Sequence, residues 1–266
     1  MCALLSMAVY DTAENKRSEY TERTLYSLLE TVDFKKHRLF ISDNGSCSET
    51  FKIYDEFIGA FHCKFDIGNL QIIQNGKNLG TAEAVNMGWK FRRPGEHCIK
   101  MDNDVVINYN GWVDEMEQAI ERDPNIGQVG LKRVDCWETP WNPTLDFRSE
   151  LMMLPHEAGQ RWIIVEKVHH VIGTCVMHSS NLLDQVGYLR QKSEYGYDDV
   201  IMSHRSRIAG YYNCFLPHIN IEHIDTGETE YQKWKEKHSG EQTQAVIDLV
   251  HRMYNKEESI HYNPFE

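Results

Sequence analysis

The chain has 266 residues, of which 41% are apolar and 26% are charged, and this composition predicts a folded protein with one large or two small domains. Its 28 basic and 40 acidic side chains give a net charge of −12, which argues against a protein that coats nucleic acid or an anionic membrane. The chain has no apolar run near the ~18 residues of a membrane span, no basic signal-peptide start and no C-x-x-C spacing, so we expect a cytoplasmic protein without structural zinc or disulfides.

The first half of the chain alternates between strand and helix patterns. The predicted order is strand 3–10, helix 19–32, strand 38–42, helix 51–61, strand 70–74, helix 81–89 and strand 98–101. This alternation indicates a mostly parallel sheet with helices on both faces. Ligands bind at the carboxyl ends of the strands in such sheets, so we expect Tyr10, Asp11, Asp43 and residues 102–104 to lie along one edge.

The second half has weaker patterns. Strands are predicted at 163–172, 174–178, 211–216 and 219–224, and a helix at 198–208. Residues 136–155, rich in Trp, Pro and Arg, lack a clear periodicity and are predicted to form a long loop. Apolar residues between 245 and 253 keep a helical spacing, so the polar tail is predicted to contain a packed or partner-facing helix.

Two carboxylates one residue apart follow the predicted strand at 98–101. Because alternate residues of an extended segment point the same way, Asp102 and Asp104 are predicted to face a single cation. A hard divalent ion such as Mn²⁺ or Mg²⁺ prefers oxygen ligands and also holds diphosphates. A strand that merely ends in a turn would give the same residues, since Asp and Asn are common in turns.

Several short elements, taken in chain order, resemble the GT-A fold glycosyltransferases and most closely those of family 2. They are 7–10 (MAVY), 42–46 (SDNGS), 75–82 (NGKNLGTA) with Asn86, 101–104 (MDND), 173–174 (GT), 195–200 (YGYDDV) with Arg205 and Gly210, and 221–223 (IEH). The resemblance implies an α/β fold with a Rossmann-like mixed sheet flanked by helices. It also implies a glycosyltransferase domain at 1–226, with a nucleotide-sugar-binding half at 1–107 and an acceptor-binding half at 108–226, and a C-terminal helical extension at 227–266.

The resemblance implies a role for each element at the donor site. Ala8 and Tyr10 would pack on the base of a nucleotide-sugar, and Asp43 would pair with that base. The residues implied along the ribose and diphosphate are Lys77, Asn78, Gly80, Asn86, Asp102 and Asn103. Those implied as metal ligands are Asp104 first, then Asp102 and His223. A structural role for a lone histidine after a strand is an equal alternative for His223.

Asp198 and Asp199 open the predicted helix at 198–208. The resemblance implies that Asp199 removes the proton of an acceptor hydroxyl and that Asp198 orients Asp199. This arrangement favours inversion at the anomeric carbon. Two acids at a helix start have another explanation, since they cap the helix and complement its dipole.

Together these residues predict a metal-dependent glycosyltransferase that uses Mn²⁺ or Mg²⁺ and a nucleoside diphosphate sugar, with UDP as the expected nucleotide. Inversion is favoured, and retention is left open because the paired aspartates serve both outcomes. The acceptor is left open among a glycan, a lipid carrier, a protein and a modified base. One alternative is a nucleotidyltransferase that makes such donors, although residues 10–17 lack its usual Gly-rich basic loop. The other is a non-catalytic sugar- or nucleotide-binding module of the same fold.

Two groups of residues fall outside these assignments. His169, His170 and His178 have no recognisable ligand spacing and are predicted to be core residues. The aromatic and basic residues between the two halves either stack on a ligand or close a small core; they are Trp137, Trp141, Arg148, Arg161 and Trp162.

Overall fold

The computed structural model describes residues 2–134, 150–193, 195–225 and 230–266, without the side chains of 230–239. Within these ranges ten strands form one sheet, flanked by seven α-helices. The strands are β1 (Ala3–Val9), β2 (Arg38–Asp43), β3 (Leu70–Gln74), β4 (His97–Met101), β5 (Val105–Val106), β6 (Ile126–Arg133), β7 (Glu150–Met153), β8 (Ile164–Val168), β9 (Cys175–His178) and β10 (Tyr212–His223). The helices are α1 (Ser18–Thr31), α2 (Ser48–Lys64), α3 (Thr81–Trp89), α4 (Trp112–Arg122), α5 (Ser180–Val186), α6 (Asp198–Ile208) and α7 (Glu230–Tyr254).

The strand order across the sheet is β3-β2-β1-β4-β9-β6-β10-β8-β7, and β5 pairs with the end of β10. Strands β1 to β4 are parallel, β9 is antiparallel to both β4 and β6, and β10 is parallel to β6. Strands β4 and β10 therefore run in the same direction. The ends of β1, β2, β4 and β10 and the start of β9 thus meet at one edge, which we call the carboxyl edge.

The sheet is covered on both faces. On β1, Leu5 and Met7 join a large apolar cluster with α1, α2 and α4, whereas Leu4 packs into a second cluster with α3 and α5. A nearly continuous apolar run is what a parallel strand with two covered faces requires. None of the described helices is long and apolar enough to cross a bilayer.

The predicted strands and helices of the first half are all present, and the second half corrects three predictions. The strand predicted at 163–172 is shorter and forms β8. The strands predicted at 211–216 and 219–224 are one strand, β10, with a register shift between Leu216 and Asn220 next to Pro217, which has no N–H to donate. Residues 150–153 of the predicted loop form β7, and the rest of that loop before 150 lies outside the described residues.

The C-terminal residues pack on the main sheet domain. Apolar side chains of α7 meet Ile201 of α6, as the helical spacing of the tail predicted. Beyond α7, the N–H of Tyr188 donates to the carbonyl of Tyr262 at 2.9 Å. The buried guanidinium of Arg205 donates to the carbonyls of Ile260 at 2.7 Å and Tyr188 at 2.6 Å, and also to that of Val186.

Candidate active site

The carboxyl edge collects most of the predicted site residues. Residues 8–11 complete β1 and its loop, Asp43 ends β2, residues 102–104 follow β4, and His223 ends β10. Residues 173–174 precede β9, and the N–H of Asp102 donates to the carbonyl of Thr174 at 3.0 Å. Helix α6 also begins here, because the carboxylate of Asp199 accepts from the N–H of Gly173.

Asp102 and Asp104 do not continue the extended strand. Strand β4 ends at Met101, and residues 103–104 form a bend, so strand alternation does not govern where their side chains point. Asp102 lies beside Lys100, whereas Asp104 contacts Arg17 and His223. In the described part of the chain, the ligand atoms of Asp102, Asp104 and His223 do not all lie within 4.8 Å of one another. The structure thus brings Asp104 and His223 together and leaves Asp102 beside Lys100, and the metal-binding roles of all three stay predictions.

The first charged group, which we call the Arg17 cluster, consists of Arg17, Asp104, His223 and Asp225. Arg17 directly precedes α1 and is only 5% exposed. Its Nη1 lies 2.5 Å from Oδ2 of Asp225, and its Nη2 donates to Oδ2 of Asp104. The Nε2 of His223 lies 3.4 Å from the same Asp104 oxygen. The cluster thus places a histidine nitrogen and a carboxylate oxygen close enough to contact one ion, and these ligand types suit Mn²⁺.

Arg17 and Asp225 were not predicted from the sequence. Asp225 lies two residues beyond the end of β10, so strand alternation does not report where its side chain points. No local pattern marks Arg17, because its acidic partners lie 87 and 208 positions away along the chain.

The second group, which we call the Lys100 cluster, consists of Lys100, Asp102, Asp198, Asp199 and His170. The Nζ of Lys100 lies 3.0 Å from Oδ2 of Asp198 and 3.5 Å from Oδ1 of Asp102, although the lysine is buried in β4. Burial opposes the charged ammonium, but the attraction of the three aspartates outweighs it and raises the pKa of Lys100.

Gly173 makes this arrangement possible. A Cβ at this position would lie 2.6 Å from Nζ of Lys100 and 3.0 Å from Cβ of Asp199. The backbone before β9 can therefore contact both charged side chains only because residue 173 has no side chain. This explains physically why a glycine stands at that point of the sequence.

Asp199 is the more accessible of the two acids at the start of α6. Its side chain is 23% exposed, whereas that of Asp198 is 7% exposed and faces Lys100. The N–H of Gly173 donates to Asp199 at 2.9 Å, and Nε2 of His170 lies 3.7 Å away. Burial would raise the pKa of Asp199, but His170, Lys100 and the backbone N–H donors hold that pKa below its usual value. Asp199 is therefore a carboxylate that stays ionised.

The three histidines predicted to be core residues differ. His178 is buried, lies edge-on to Trp89 with ring centroids 4.9 Å apart, and has its pKa lowered by burial to about 3, so the core prediction is confirmed for it. His169 is exposed, and His170 is partly exposed beside Asp199. For these two the core prediction is wrong, because the chain leaves β8 before reaching them.

Asp43 shapes the loop after β2. It is fully buried; its Oδ1 accepts from the N–H groups of Gly45 and Ser46 at 3.0 and 2.9 Å, and its Oδ2 accepts from the hydroxyl of Tyr54 at 2.9 Å. Gly45 has a φ of +89°, and a Cβ there would lie 3.3 Å from the backbone of Gly76. The carboxylate of Asp43 therefore fixes the loop after β2 at the carboxyl edge.

Asn86 and Asn103, predicted along the ribose and diphosphate, have their amides engaged inside the protein. Asn86 is 1% exposed and exchanges two hydrogen bonds with the backbone of Leu189, at 2.8 and 2.9 Å. The Nδ2 of Asn103 donates to Asp11 at 2.9 Å and to Thr21 at 2.7 Å. Both side chains are thus held by their own fold, and their predicted contact with a ligand stays a prediction.

The remaining donor-side residues are more open. Tyr10 is 36% exposed, Lys77 is exposed and Ala8 is half-buried. Oδ1 of Asn78 accepts from the N–H of Gly80 at 2.9 Å and from Nδ2 of Asn44 at 3.2 Å. The loops after β2 and β3 are therefore joined by side-chain amides, and Tyr10 and Lys77 are left accessible beside them.

Part of the stretch between the two halves is described. Trp162 is 54% exposed and packs on His156 with ring centroids 3.4 Å apart, so it does not close a small core. Nη1 of Arg161 lies 3.2 Å from the hydroxyl of Tyr109. The predictions for Trp137, Trp141 and Arg148 lie outside the described residues.

One further group of potential ligands, His37, Asp114 and Glu117, lies away from the carboxyl edge. The Nδ1 of His37 accepts from the N–H of Ala3 at 3.2 Å, and burial lowers its pKa to about 4, so the neutral ring carries its proton on Nε2. That nitrogen faces Asp114 at 3.6 Å, and Nζ of Lys36 lies 2.6 Å from Glu117. The group is therefore an ion-pair network without an imidazole lone pair for a metal.

Comparison with known proteins agrees with this architecture. The model of the family described as glycosyl transferase family 2 matches residues 12–187. The low-salt glycan biosynthesis hexosyltransferase Agl10 of Haloferax volcanii is 25% identical over 201 residues, which are 73% of this chain. The chain spans 59% of the length of that relative.

Solved structures share the fold at low sequence identity. The mannosyltransferase PcManGT of Pyrobaculum calidifontis, in complex with GDP-Man and Mn²⁺, matches with a TM-score of 0.66 and 14% identity, over 97% of this chain and 70% of that one. GalNAc-T7 with UDP, GalNAc and Mn²⁺ matches with a TM-score of 0.64 and 13% identity, over 96% of this chain and 49% of that one. Staphylococcus aureus TarS matches with a TM-score of 0.63 and 16% identity, over 95% of this chain and 39% of that one.

Proposed function

Because the chain belongs to glycosyl transferase family 2 and has the GT-A fold, we propose that it transfers a sugar from a nucleoside diphosphate donor to an acceptor hydroxyl. The predictions of this family and of this fold are confirmed, and the relationship to Agl10 supports the prediction of a glycosyltransferase. The observation that carries the proposal is the meeting of Asp104 and His223, 3.4 Å apart, at the edge of the sheet where ligands of α/β folds bind.

The proposed donor site begins at the exposed ring of Tyr10. Its open face suits stacking on a nucleobase, with Ala8 beside it and the loop fixed by Asp43 as the border. Lys77 is accessible for a phosphate. UDP is the nucleotide we propose, and the complexes of two structural neighbours with GDP-Man and with UDP support a nucleoside diphosphate in general.

Asp104 and His223 are the proposed ligands of Mn²⁺ or Mg²⁺, and Asp102 lies next to them along the chain. When bound, the ion would stabilise the negative charge that develops on the diphosphate leaving group. PcManGT and GalNAc-T7 each hold Mn²⁺ together with a nucleotide, which supports the same class of cofactor here.

Asp199 is the proposed general base. It accepts the proton of the acceptor hydroxyl while the acceptor oxygen bonds to the anomeric carbon, and the bond between that carbon and the diphosphate oxygen breaks, so the sugar is inverted. The low pKa of Asp199 keeps the carboxylate free of a proton at neutral pH. Asp198 is turned away towards Lys100 and is a positioning residue.

The proposed acceptor is a glycan, a lipid carrier, a protein or a modified base. We also propose that the protein acts in the cytoplasm.

The test is a thermal-shift panel of UDP, GDP, CDP and ADP, each with and without Mn²⁺, on the wild type, on Asp104→Asn and on the control Glu222→Gln. Glu222 neighbours His223 but is exposed, and it pairs with Arg23 at 3.5 Å. One nucleotide should stabilise the wild type and the control only with Mn²⁺, and should fail on Asp104→Asn.

Two results would contradict the proposal. If no nucleotide changed the Tm, the proposed donor site would be refuted. A non-catalytic module that binds another class of ligand would then be favoured. Formation of a nucleotide-sugar from a nucleoside triphosphate and a sugar phosphate would instead support a nucleotidyltransferase.

A further inference from the structure

In the Arg17 cluster, the proposed metal ligand Asp104 is already in contact with a positive charge, the guanidinium of Arg17. The guanidinium of Arg17 bridges Oδ2 of Asp104 and Oδ2 of Asp225, and the side chains of these residues are 6%, 4% and 1% exposed. A planar guanidinium with several donors suits this two-sided contact and is charged at every accessible pH. Arg17 also lies 5.4 Å from the centre of the Tyr20 ring, which helps to hold its position.

The charges explain why a cation is needed there. Two buried carboxylates with little access to water are strongly destabilising unless a positive charge compensates them. Arg17 supplies that charge through one oxygen of Asp104, and the same oxygen is the one that faces His223. A divalent ion bound by Asp104 and His223 would therefore lie next to the guanidinium, and like charges repel strongly where water is excluded.

We propose that Arg17 is an internal counter-cation that competes with the divalent metal for Asp104. Metal binding then has to separate the guanidinium from Asp104 while Asp225 keeps hold of it. Arg17 therefore weakens the binding of the bare ion and stabilises the metal-free protein. This proposal rests on the proposed function, because it takes Asp104 and His223 as the metal ligands.

Arg23 offers a matched control. It lies on α1 six positions after Arg17, its side chain is 45% exposed, and it pairs only loosely with the exposed Glu222 at 3.5 Å. Arg23→Gln removes the same charge close to the cluster without touching Asp104 or Asp225. A general loss of positive charge would therefore affect both variants, whereas loss of the counter-cation would affect only Arg17→Gln.

The experiment measures the Kd of Mn²⁺ alone by the electron paramagnetic resonance signal of the free ion, for the wild type, Arg17→Gln and Arg23→Gln. Arg17→Gln should bind Mn²⁺ about tenfold more tightly than the wild type, and Arg23→Gln should match the wild type. With EDTA, the Tm of Arg17→Gln should fall by roughly 5 °C, and Mn²⁺ should restore it. Equal or weaker Mn²⁺ binding by Arg17→Gln would overturn the proposal.

A measurement on the wild type covers the case in which Arg17→Gln fails to fold. With nitrogen-15-labelled arginine, titration with diamagnetic Mg²⁺ should shift the guanidinium signal of Arg17, while that of the buried Arg205, bound to backbone carbonyls, should stay unchanged. Saturation with Mg²⁺ that leaves the Arg17 signal unmoved would overturn the proposal. Failure of the proposed function is distinct, because neither Mn²⁺ nor any nucleoside diphosphate would then bind the wild type.

Discussion

Asp102 and Asp104 are separated by one residue, yet they enter two clusters of different construction. The Arg17 cluster encloses its carboxylates, since Asp104 and Asp225 are 4% and 1% exposed. The Lys100 cluster buries its cation but leaves acids at the surface, with Asp102 33% and Asp199 23% exposed. An arginine fork compensates two enclosed acids, whereas the lysine compensates one enclosed acid, Asp198, and lies beside two that are partly exposed. The first cluster therefore suits an ion held within the protein, and the second suits a substrate hydroxyl that arrives from solvent.

The largest predicted effect separates the two neighbouring aspartates. Asp104→Asn should lower kcat with Mn²⁺ by about 10³-fold, because it weakens the metal that stabilises the leaving group, whereas Asp102→Asn should cost only about tenfold. Initial rates of sugar transfer or donor hydrolysis measure both. Similar losses in the two variants would mean that one ion contacts both aspartates and that the clusters are not separate.

The next prediction tests the outward-facing acid. Asp199→Asn should lower kcat by about 10²-fold and leave the Kd of the donor nucleotide unchanged, since the variant loses the base and keeps the donor site. Asp198→Asn is the matched variant: it should chiefly lower the free energy of unfolding, because it removes the closest acidic partner of buried Lys100. A greater loss of kcat in Asp198→Asn would exchange the two roles.

A smaller effect is expected for His170, which acts through Asp199. After burial, His170 is the strongest influence on the pKa of Asp199 and lowers it. His170→Gln should therefore raise that pKa and move the acidic limb of the kcat/KM profile to higher pH, whereas kcat near neutral pH should change by less than about threefold because Asp199 is still ionised there. A fall in kcat at all pH values without a shift of the limb would give His170 a purely structural role.

The smallest effect lies outside both clusters. Burial lowers the pKa of His178 to about 3 from its unfolded value of 6.5. The neutral ring therefore contributes fully to stability above pH 6.5, and this contribution is lost as the pH falls from 6.5 towards 3. His178→Gln should reduce the slope of unfolding free energy between about pH 6 and 4 by about 1.4 kcal/mol per pH unit. The exposed His62→Gln is the control, and equal slopes in both variants would contradict the burial argument.

The sequence predicts which loops form the site better than it predicts the side-chain contacts within the site. Strand–helix alternation predicts which loops share an edge, and that edge does hold Tyr10, Asp43 and Asp104. Asp199 and His223 lie there too, but only the family resemblance assigned them to the site. Local patterns do not report the bend after Met101, nor that the side chains of Asp43 and Asn86 are already engaged by their own fold.

Strand β6 was not predicted from the sequence, for a related reason. Gly127 and Gly130 interrupt its apolar pattern, and a Cβ at Gly130 would lie 2.3 Å from the side chain of Val171. Tertiary packing therefore required glycines where strand propensity alone disfavours them. The ion pairs of Arg17 are likewise long-range and leave no trace in local periodicity.

Arg205 connects the residues near Ile260 to helix α3, which lies far away in sequence. It ties Ile260 to Tyr188, and the next residue, Leu189, is clamped by Asn86 in helix α3. Shortening the protein before Ile260 would leave a buried guanidinium short of an acceptor and loosen that clamp. Deletion of Ile260 and Tyr262 should consequently expose helix α3, far away in sequence, to amide exchange, because Tyr262 also accepts from the N–H of Tyr188.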